Sequence, residues 1–297
     1  KELEHGVMKE LSQKVIKEKE SFERYIAAVE KIDTYIANGK TVLKFNMTRP
    51  VIESHSEGVS VLNGINMVEK ERCSELGTEY QPLTAQFDER ISVIHGSNMG
   101  GKTVLLRTVG LFQTLVQTGF YVPADKFSTQ LFDNIFYIGD HEDKSIKGLS
   151  SFAMEIVNFL EAKKGDDGTA LYLMDEFAKT TDSDEATALI TAVIKDFSDN
   201  EKTTAFISTH FKGLPEIENV SFYRMKGLDV DEYEKCYKKE YSYTLIERIR
   251  LINHFMKYEV IPDTPDHITS DALKIAEMLG LDSSTVKNAA EYLKGKG

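Results

Sequence analysis

The chain has 297 residues, 41% of them hydrophobic, enough for one large or two modest domains with a real core. Its formal net charge of −12 opposes a broad electrostatic grip on nucleic acid, so any DNA contact needs a local patch or another domain. Cys73 and Cys236, far apart and outside any metal-ligand spacing, rule out a disulfide scaffold and suit a reducing cytoplasm. No apolar run reaches the length of a membrane span and no signal-like segment opens the chain, so a soluble, cytoplasmic protein is expected.

Leu3, Val7, Leu11 and Val15 recur every four positions, and Phe22, Tyr25, Ile26, Val29, Ile32 and Ile36 resume the helical spacing. This pattern predicts one long or two broken amphipathic helices ending near Asn38-Gly39, a helical segment over residues 1–38 whose apolar stripe serves core or partner-helix packing. From Thr41 the texture changes to short β-rich pieces over 59–62, 91–94, 135–138, 170–174 and 203–208, with helices over 102–118, 151–163 and 184–197. Such alternation predicts an α/β domain over 39–297, a mostly parallel sheet flanked by crossover helices. Residues 253–268, which contain Pro262 and Pro265, read as irregular and lead into two short helices over 273–279 and 286–293.

One run carries chemistry before any other. His95-Gly96-Ser97-Asn98-Met99-Gly100-Gly101-Lys102-Thr103 follows the β-branched stretch Ile91-Ser92-Val93-Ile94 and enters an apolar-periodic helix at Val104. A glycine-rich loop in that position turns backbone N–H groups toward a polyphosphate; Lys102 reaches the terminal phosphates and the Thr103 hydroxyl ligates Mg²⁺ at a helix N-terminus. Leu171-Tyr172-Leu173-Met174-Asp175-Glu176 is an apolar strand ending in two carboxylates. On a strand beside the phosphate loop, Asp175 would hold Mg²⁺ and Glu176 would act as the base for the attacking water. His210, after the strand Thr204-Ala205-Phe206-Ile207-Ser208, sits where open α/β sheets place chemistry and is assigned a γ-phosphate-sensing role over a structural one.

The order of these motifs resembles the ATPase domain of the MutS family, the ABC-like ATPases that include DNA mismatch-repair proteins. The likeness runs from Thr48-Arg49-Pro50 through the phosphate loop, Gly119-Phe120-Tyr121-Val122-Pro123-Ala124, Phe132-Asp133-Asn134, Gly148-Leu149-Ser150-Ser151-Phe152, Asp175-Glu176 and Ser208-Thr209-His210-Phe211 to the closing helices, about residues 40–295. It implies a P-loop NTPase of ABC/MutS type, an ATPase using ATP and Mg²⁺. Gly96, Ser97, Asn98, Met99, Gly100, Gly101, Lys102, Thr103 and Val104 then cradle the nucleotide.

The resemblance also implies a homodimer in which Ser150 touches the ATP of the partner subunit; capping the helix that starts near Ser151 is its local alternative. An adenine-stacking aromatic is implied too, and Tyr80 is the candidate, with packing beside Pro82 as its alternative. The chain departs from the family where a Gly-x-Gly-Thr usually follows the Asp-Glu pair: here the loop is Ala178-Lys179-Thr180-Thr181. Because the chain starts at Lys1, residues 1–38 are expected to be a remnant of a preceding core domain, with the mismatch-reading and DNA-encircling parts upstream and the dimerisation helices beyond Gly297.

Two functions follow. The first is a DNA mismatch-repair or recombination module driven by ATP-dependent dimer closure. The second is a non-repair motor that remodels or reactivates a protein client such as a cobalamin-dependent aminomutase: the close spacing of Gly148 to Phe152, the altered 178–181 loop and the acidic balance resemble MutS-like proteins associated with such enzymes.

Overall fold

The structure, a computed structural model, describes residues 2–53, 58–97, 99–139, 151–165, 167–236, 243–265 and 271–294. Asn98 and Ser150 lie outside the described residues. The chain divides into two compact units, Lys1–Met47 and Thr48–Gly297.

The first unit is a pair of helices, α1 (Glu2–Lys17) and α2 (Lys19–Phe45), broken at Glu18. The helix does not stop at Asn38-Gly39. A single glycine costs a helix interior only about 1 kcal/mol, too little to end a helix that continues to Phe45. The stop comes at Asn46, whose left-handed backbone (φ 49°) closes the last turn. The apolar stripe is exposed along its length, at Leu11, Val15, Phe22, Val29 and Ile32 among others.

The second unit opens with β1 (Val51–Ile52), β2 (Val59–Gly64), α3 (Met67–Leu76), β3 (Leu83–Phe87), β4 (Ile91–His95), α4 (Lys102–Gln117), β5 (Lys126–Thr129) and β6 (Asn134–Ile138). It continues with α5 (Ser151–Lys164), β7 (Ala170–Asp175), α6 (Ser183–Ser198), β8 (Thr203–Thr209) and β9 (Val220–Leu228). Last come α7 (Val230–Cys236), α8 (Leu245–Phe255), β10 (Met256–Pro262), α9 (Asp271–Leu279) and α10 (Ser283–Lys294). The larger sheet runs β10-β9-β4-β8-β7-β6, parallel throughout except for the antiparallel edge strand β10. A smaller sheet, β1-β5-β2-β3, is antiparallel apart from its β1–β5 pair.

The unit is therefore α/β with mixed sheets flanked by helices, and the predicted parallel character holds for the larger sheet alone. Helix α4 lays Leu105, Leu106, Val109 and Phe112 over one face of that sheet, against Ile94, Leu171, Leu173 and Phe206. On the other face Ile190, Ile194 and Phe197 of α6 cover Val93, Tyr172 and Ile207. Covered on both sides, β4 and β8 are buried at every position, which is why neither shows the apolar–polar alternation of a strand with one wet face.

Residues 253–262 are not irregular as predicted, while 263–265 carry no regular element and 266–268 lie outside the described residues. Helix α8 runs to Phe255 and β10 follows it directly. Pro262 is compatible with a strand because it is the last residue of an edge strand, where an amide can be missing at no cost to a ladder. Among the described residues no helix is long and apolar enough to cross a membrane.

Candidate active site

Strand β4 delivers the glycine-rich loop to the N-terminus of α4. The Gly100 N–H donates to the Ser97 carbonyl at 2.9 Å. Gly101 caps α4 in left-handed backbone (φ 88°). A side chain there would be strained, and its Cβ would lie 2.8 Å from Cδ1 of Tyr258. Ser97 Oγ is buried and has no hydrogen-bond partner among the described residues, an unmet donor in a loop built to face an anion.

Lys102, only 3% exposed, folds its Nζ back to donate to the carbonyls of Gly96 (2.7 Å) and Ser97 (3.0 Å), and it lies 3.3 Å from Glu176 Oε1. Burial pulls the lysine pKa down, and the Glu176 carboxylate works against that shift.

The Thr103 hydroxyl donates to Asp175 Oδ1 at 3.1 Å and so ties the start of α4 to the tip of β7. Asp175 also accepts from Ser208 Oγ at 2.8 Å and from the Tyr137 hydroxyl at 3.0 Å. Burial first, then the neighbouring Asp175 charge, push the Tyr137 phenol up to about 12. The sequence reading put Asp175 on a strand beside the phosphate loop; in fact β8 lies between β4 and β7. Thr103 still reaches the carboxylate because parallel strands end at the same edge of the sheet.

Glu176 leaves the strand in left-handed backbone (φ 53°), its N–H donating to Ser208 Oγ at 3.0 Å. Its Oε1 is 4.0 Å from His210 Nδ1. Burial lowers the His210 pKa below its ordinary 6.5; Glu176 opposes the shift, while Lys102 and Lys179 add to it. The imidazole is therefore neutral at neutral pH.

A cleft of about 260 Å³ opens beside these groups, lined by Met99, Lys102, Thr103 and Val104 on the loop side and by Tyr80 and Tyr258 among its other walls. The Tyr80 hydroxyl accepts the Asn66 N–H at 2.7 Å, which pins its ring at the cleft. The sequence-predicted residues Gly96, Ser97, Met99, Gly100, Gly101, Lys102, Thr103, Val104, Tyr80, Asp175, Glu176 and His210 thus converge on one edge of the larger sheet. Sequence reasoning missed Tyr137, Ser208, Asn253 and Tyr258. Ser208 is the register partner of Asp175, a relationship visible only once strand order is known. Tyr258 and Asn253, joined by an amide-to-hydroxyl hydrogen bond of 3.1 Å, fell in the stretch read as irregular.

A parallel sheet whose central strand feeds a glycine-rich loop into a helix, with paired carboxylates on a nearby strand tip, defines an α/β protein of the phosphate-loop class. Residues 92–294 match the model of MutS domain V, and the chain belongs to the MutS family through this domain. It is 27% identical over 285 residues to the DNA mismatch repair protein MutS of Lactobacillus acidophilus, covering 93% of this chain and 31% of that protein. It is 29% identical over 294 residues to the endonuclease MutS2 of Caldicellulosiruptor saccharolyticus (98% and 34%) and 26% identical over 291 residues to that of Thermotoga petrophila (97% and 34%). The chain spans about a third of the length of these relatives.

Proposed function

We propose that the site binds ATP with Mg²⁺ and hydrolyses it, as the ATPase module of a MutS-like DNA mismatch-repair or recombination protein. The observation that carries this reading is the Thr103–Asp175 hydrogen bond beside the Lys102–Glu176 pair. It sets a loop hydroxyl and a strand-tip carboxylate side by side, with a buried ammonium and a second carboxylate next to them. The oxygens of Thr103 and Asp175 are the hard donors that Mg²⁺ takes, and the Ser97 hydroxyl, without a partner among the described residues, fits a loop shaped for phosphate. Bound there, Mg²⁺ supplies neutralisation of phosphate charge.

The chain's own groups divide the work. Lys102 exchanges its backbone carbonyl partners for the β- and γ-phosphates. Glu176 accepts a proton from water as the water oxygen bonds to the γ-phosphorus and the bond to the ADP oxygen breaks. His210, neutral and beside Glu176, senses the γ-phosphate through a ring N–H. Tyr80 offers a ring face at the cleft for the adenine, and Gly96 to Val104 cradle the phosphates. Following the family resemblance, two copies close face to face, Ser150 of each reaching the ATP of the other. With a net charge of −12 on these residues, we assign the grip on DNA to other parts of the working assembly.

Calorimetry with ATP, with and without Mg²⁺, together with a phosphate-release assay, tests the reading. Mg²⁺-dependent binding with turnover is the expected result, and absence of nucleotide binding to the folded chain overturns it.

A further inference from the structure

Immediately after Glu176 the chain makes a tight turn that is held from outside. The turn satisfies some of its own amides: Lys179 N–H donates to the Glu176 carbonyl at 3.2 Å and Thr181 N–H to the Ala178 carbonyl at 3.3 Å. Ala178 N–H instead leaves the turn and meets the Glu155 carboxylate of α5, Oε2, at 2.7 Å. Both partners are buried, and a buried amide left without its acceptor is costly. One helical turn further along α5, on the same face, the Phe159 ring packs on Phe177 with centroids 5.5 Å apart. Helix α5 therefore grips two consecutive residues of the turn, one by a carboxyl oxygen and one by an aromatic ring.

That grip matters because the turn is not a relaxed one. Glu176 and Ala178, neither of them glycine, both sit in left-handed backbone, at φ 53° and 63°. Non-glycine residues stay there only when their surroundings over-determine the conformation. With Ser208 holding the Glu176 N–H on one side of the turn and Glu155 holding the Ala178 N–H on the other, the Glu176 side chain is directed at Lys102.

We infer that Glu155 is a positioning residue for the reaction at Glu176: it sets the shape of the 176–181 turn and thereby where the carboxylate stands. It acts through the turn rather than on the substrate, and its effect is confined to placement of the base. Misplacing a catalytic group by a fraction of an ångström costs turnover far more than affinity. The inference rests on the ATPase reading for its kinetic consequence but not for its structural one.

The test uses the full chain and three substitutions. Glu155→Gln keeps an acceptor at the same reach. Glu155→Asp keeps the carboxyl group but is one methylene short, and Glu155→Met keeps the length but has no oxygen. The expected result is turnover lowered roughly 10-fold or more in the Asp and Met variants with ATP affinity within about twofold of the parent, and near-parental behaviour in Gln. Hydrogen exchange of the Ala178 amide speeds up in Asp and Met and stays protected in Gln. Parental turnover and exchange in both Asp and Met overturn the inference. So does equal impairment of all three variants in proportion to lost folded protein. If the parent chain itself fails to hydrolyse ATP, the ATPase reading falls, and the exchange pattern still decides whether Glu155 clamps the turn.

Discussion

Lys102 Nζ lies 3.3 Å from Glu176 Oε1, so the loop's only lysine and the strand-tip glutamate form an ion pair within the site. The pairing explains how a lysine 3% exposed is accommodated: its charge is met by a carboxylate and two backbone carbonyls. It also means that the two residues report on different steps when removed singly.

Lys102→Ala should weaken ATP binding by roughly 10- to 100-fold, the range for a lost hydrogen bond to a charged group. Glu176→Gln should keep nucleotide, because the amide retains the shape, and should lose turnover by about 10²- to 10⁴-fold, because it cannot take a proton. Calorimetry beside single-turnover phosphate release separates the two. Equal loss of ATP binding in both variants would sink the role given to Glu176.

His210 supplies a pH test. Its folded pKa is held below 6.5 chiefly by burial, so the unfolded chain binds the extra proton first as pH falls. The stability associated with the neutral ring is complete above pH 6.5 and is lost as pH drops through the lower folded value. An NMR titration of the ring should therefore show a midpoint under 6.5. In Glu176→Gln the midpoint should move lower still, since the one neighbour that favours the charged ring has gone. An upward move on that substitution contradicts the geometry.

The site was more legible than the fold around it, for a physical reason. Phosphate-loop chemistry is local: Gly96, Gly101, Lys102 and Thr103 sit within one strand–loop–helix unit, and the Asp175-Glu176 pair ends an unbroken apolar strand. What stayed hidden depends on contacts between segments distant in sequence. The Ser208–Asp175 pairing is set by sheet order, and β8 between β4 and β7 leaves no trace in spacing. Tyr258 was lost because two prolines suggested a loop, although Pro262 closes an edge strand whose Tyr258 amide donates to Gln81 Oε1 at 3.2 Å. Strand β3 did show alternation, with Leu83, Ala85 and Phe87 inward, but five residues are too few to stand out in a chain this rich in helix signals. The misplaced end of α2 came from reading Asn38-Gly39 as a stop, although one glycine costs a helix interior only about 1 kcal/mol and the helix runs on to Phe45.

Ser150 tests the dimer. Acting across an interface, Ser150→Ala should lower turnover several-fold and abolish its dependence on protein concentration, with ATP affinity of the single subunit unchanged. Analytical ultracentrifugation with a non-hydrolysable ATP analogue checks the accompanying loss of association. An intact ATP-induced dimer with full turnover and only reduced thermal stability assigns Ser150 to capping α5 instead.

These 297 residues alone should bind duplex DNA weakly, since a net charge of −12 leaves little counterion release to drive association. Fluorescence anisotropy with matched and mismatched duplexes across a salt series measures it. Submicromolar, mismatch-selective binding at physiological salt by this chain alone would place the DNA grip within it.

The loop and both carboxylates hang from β4, β7 and β8, the inner strands of the larger sheet, and β4 and β8 are buried from end to end. Such strands open only when the whole unit opens. Nucleotide binding at the site is therefore linked by mass action to the stability of its scaffold. A nucleotide at one hundred times its Kd would add about 2.7 kcal/mol to the stability of the entire unit Thr48–Gly297, not merely of its loops.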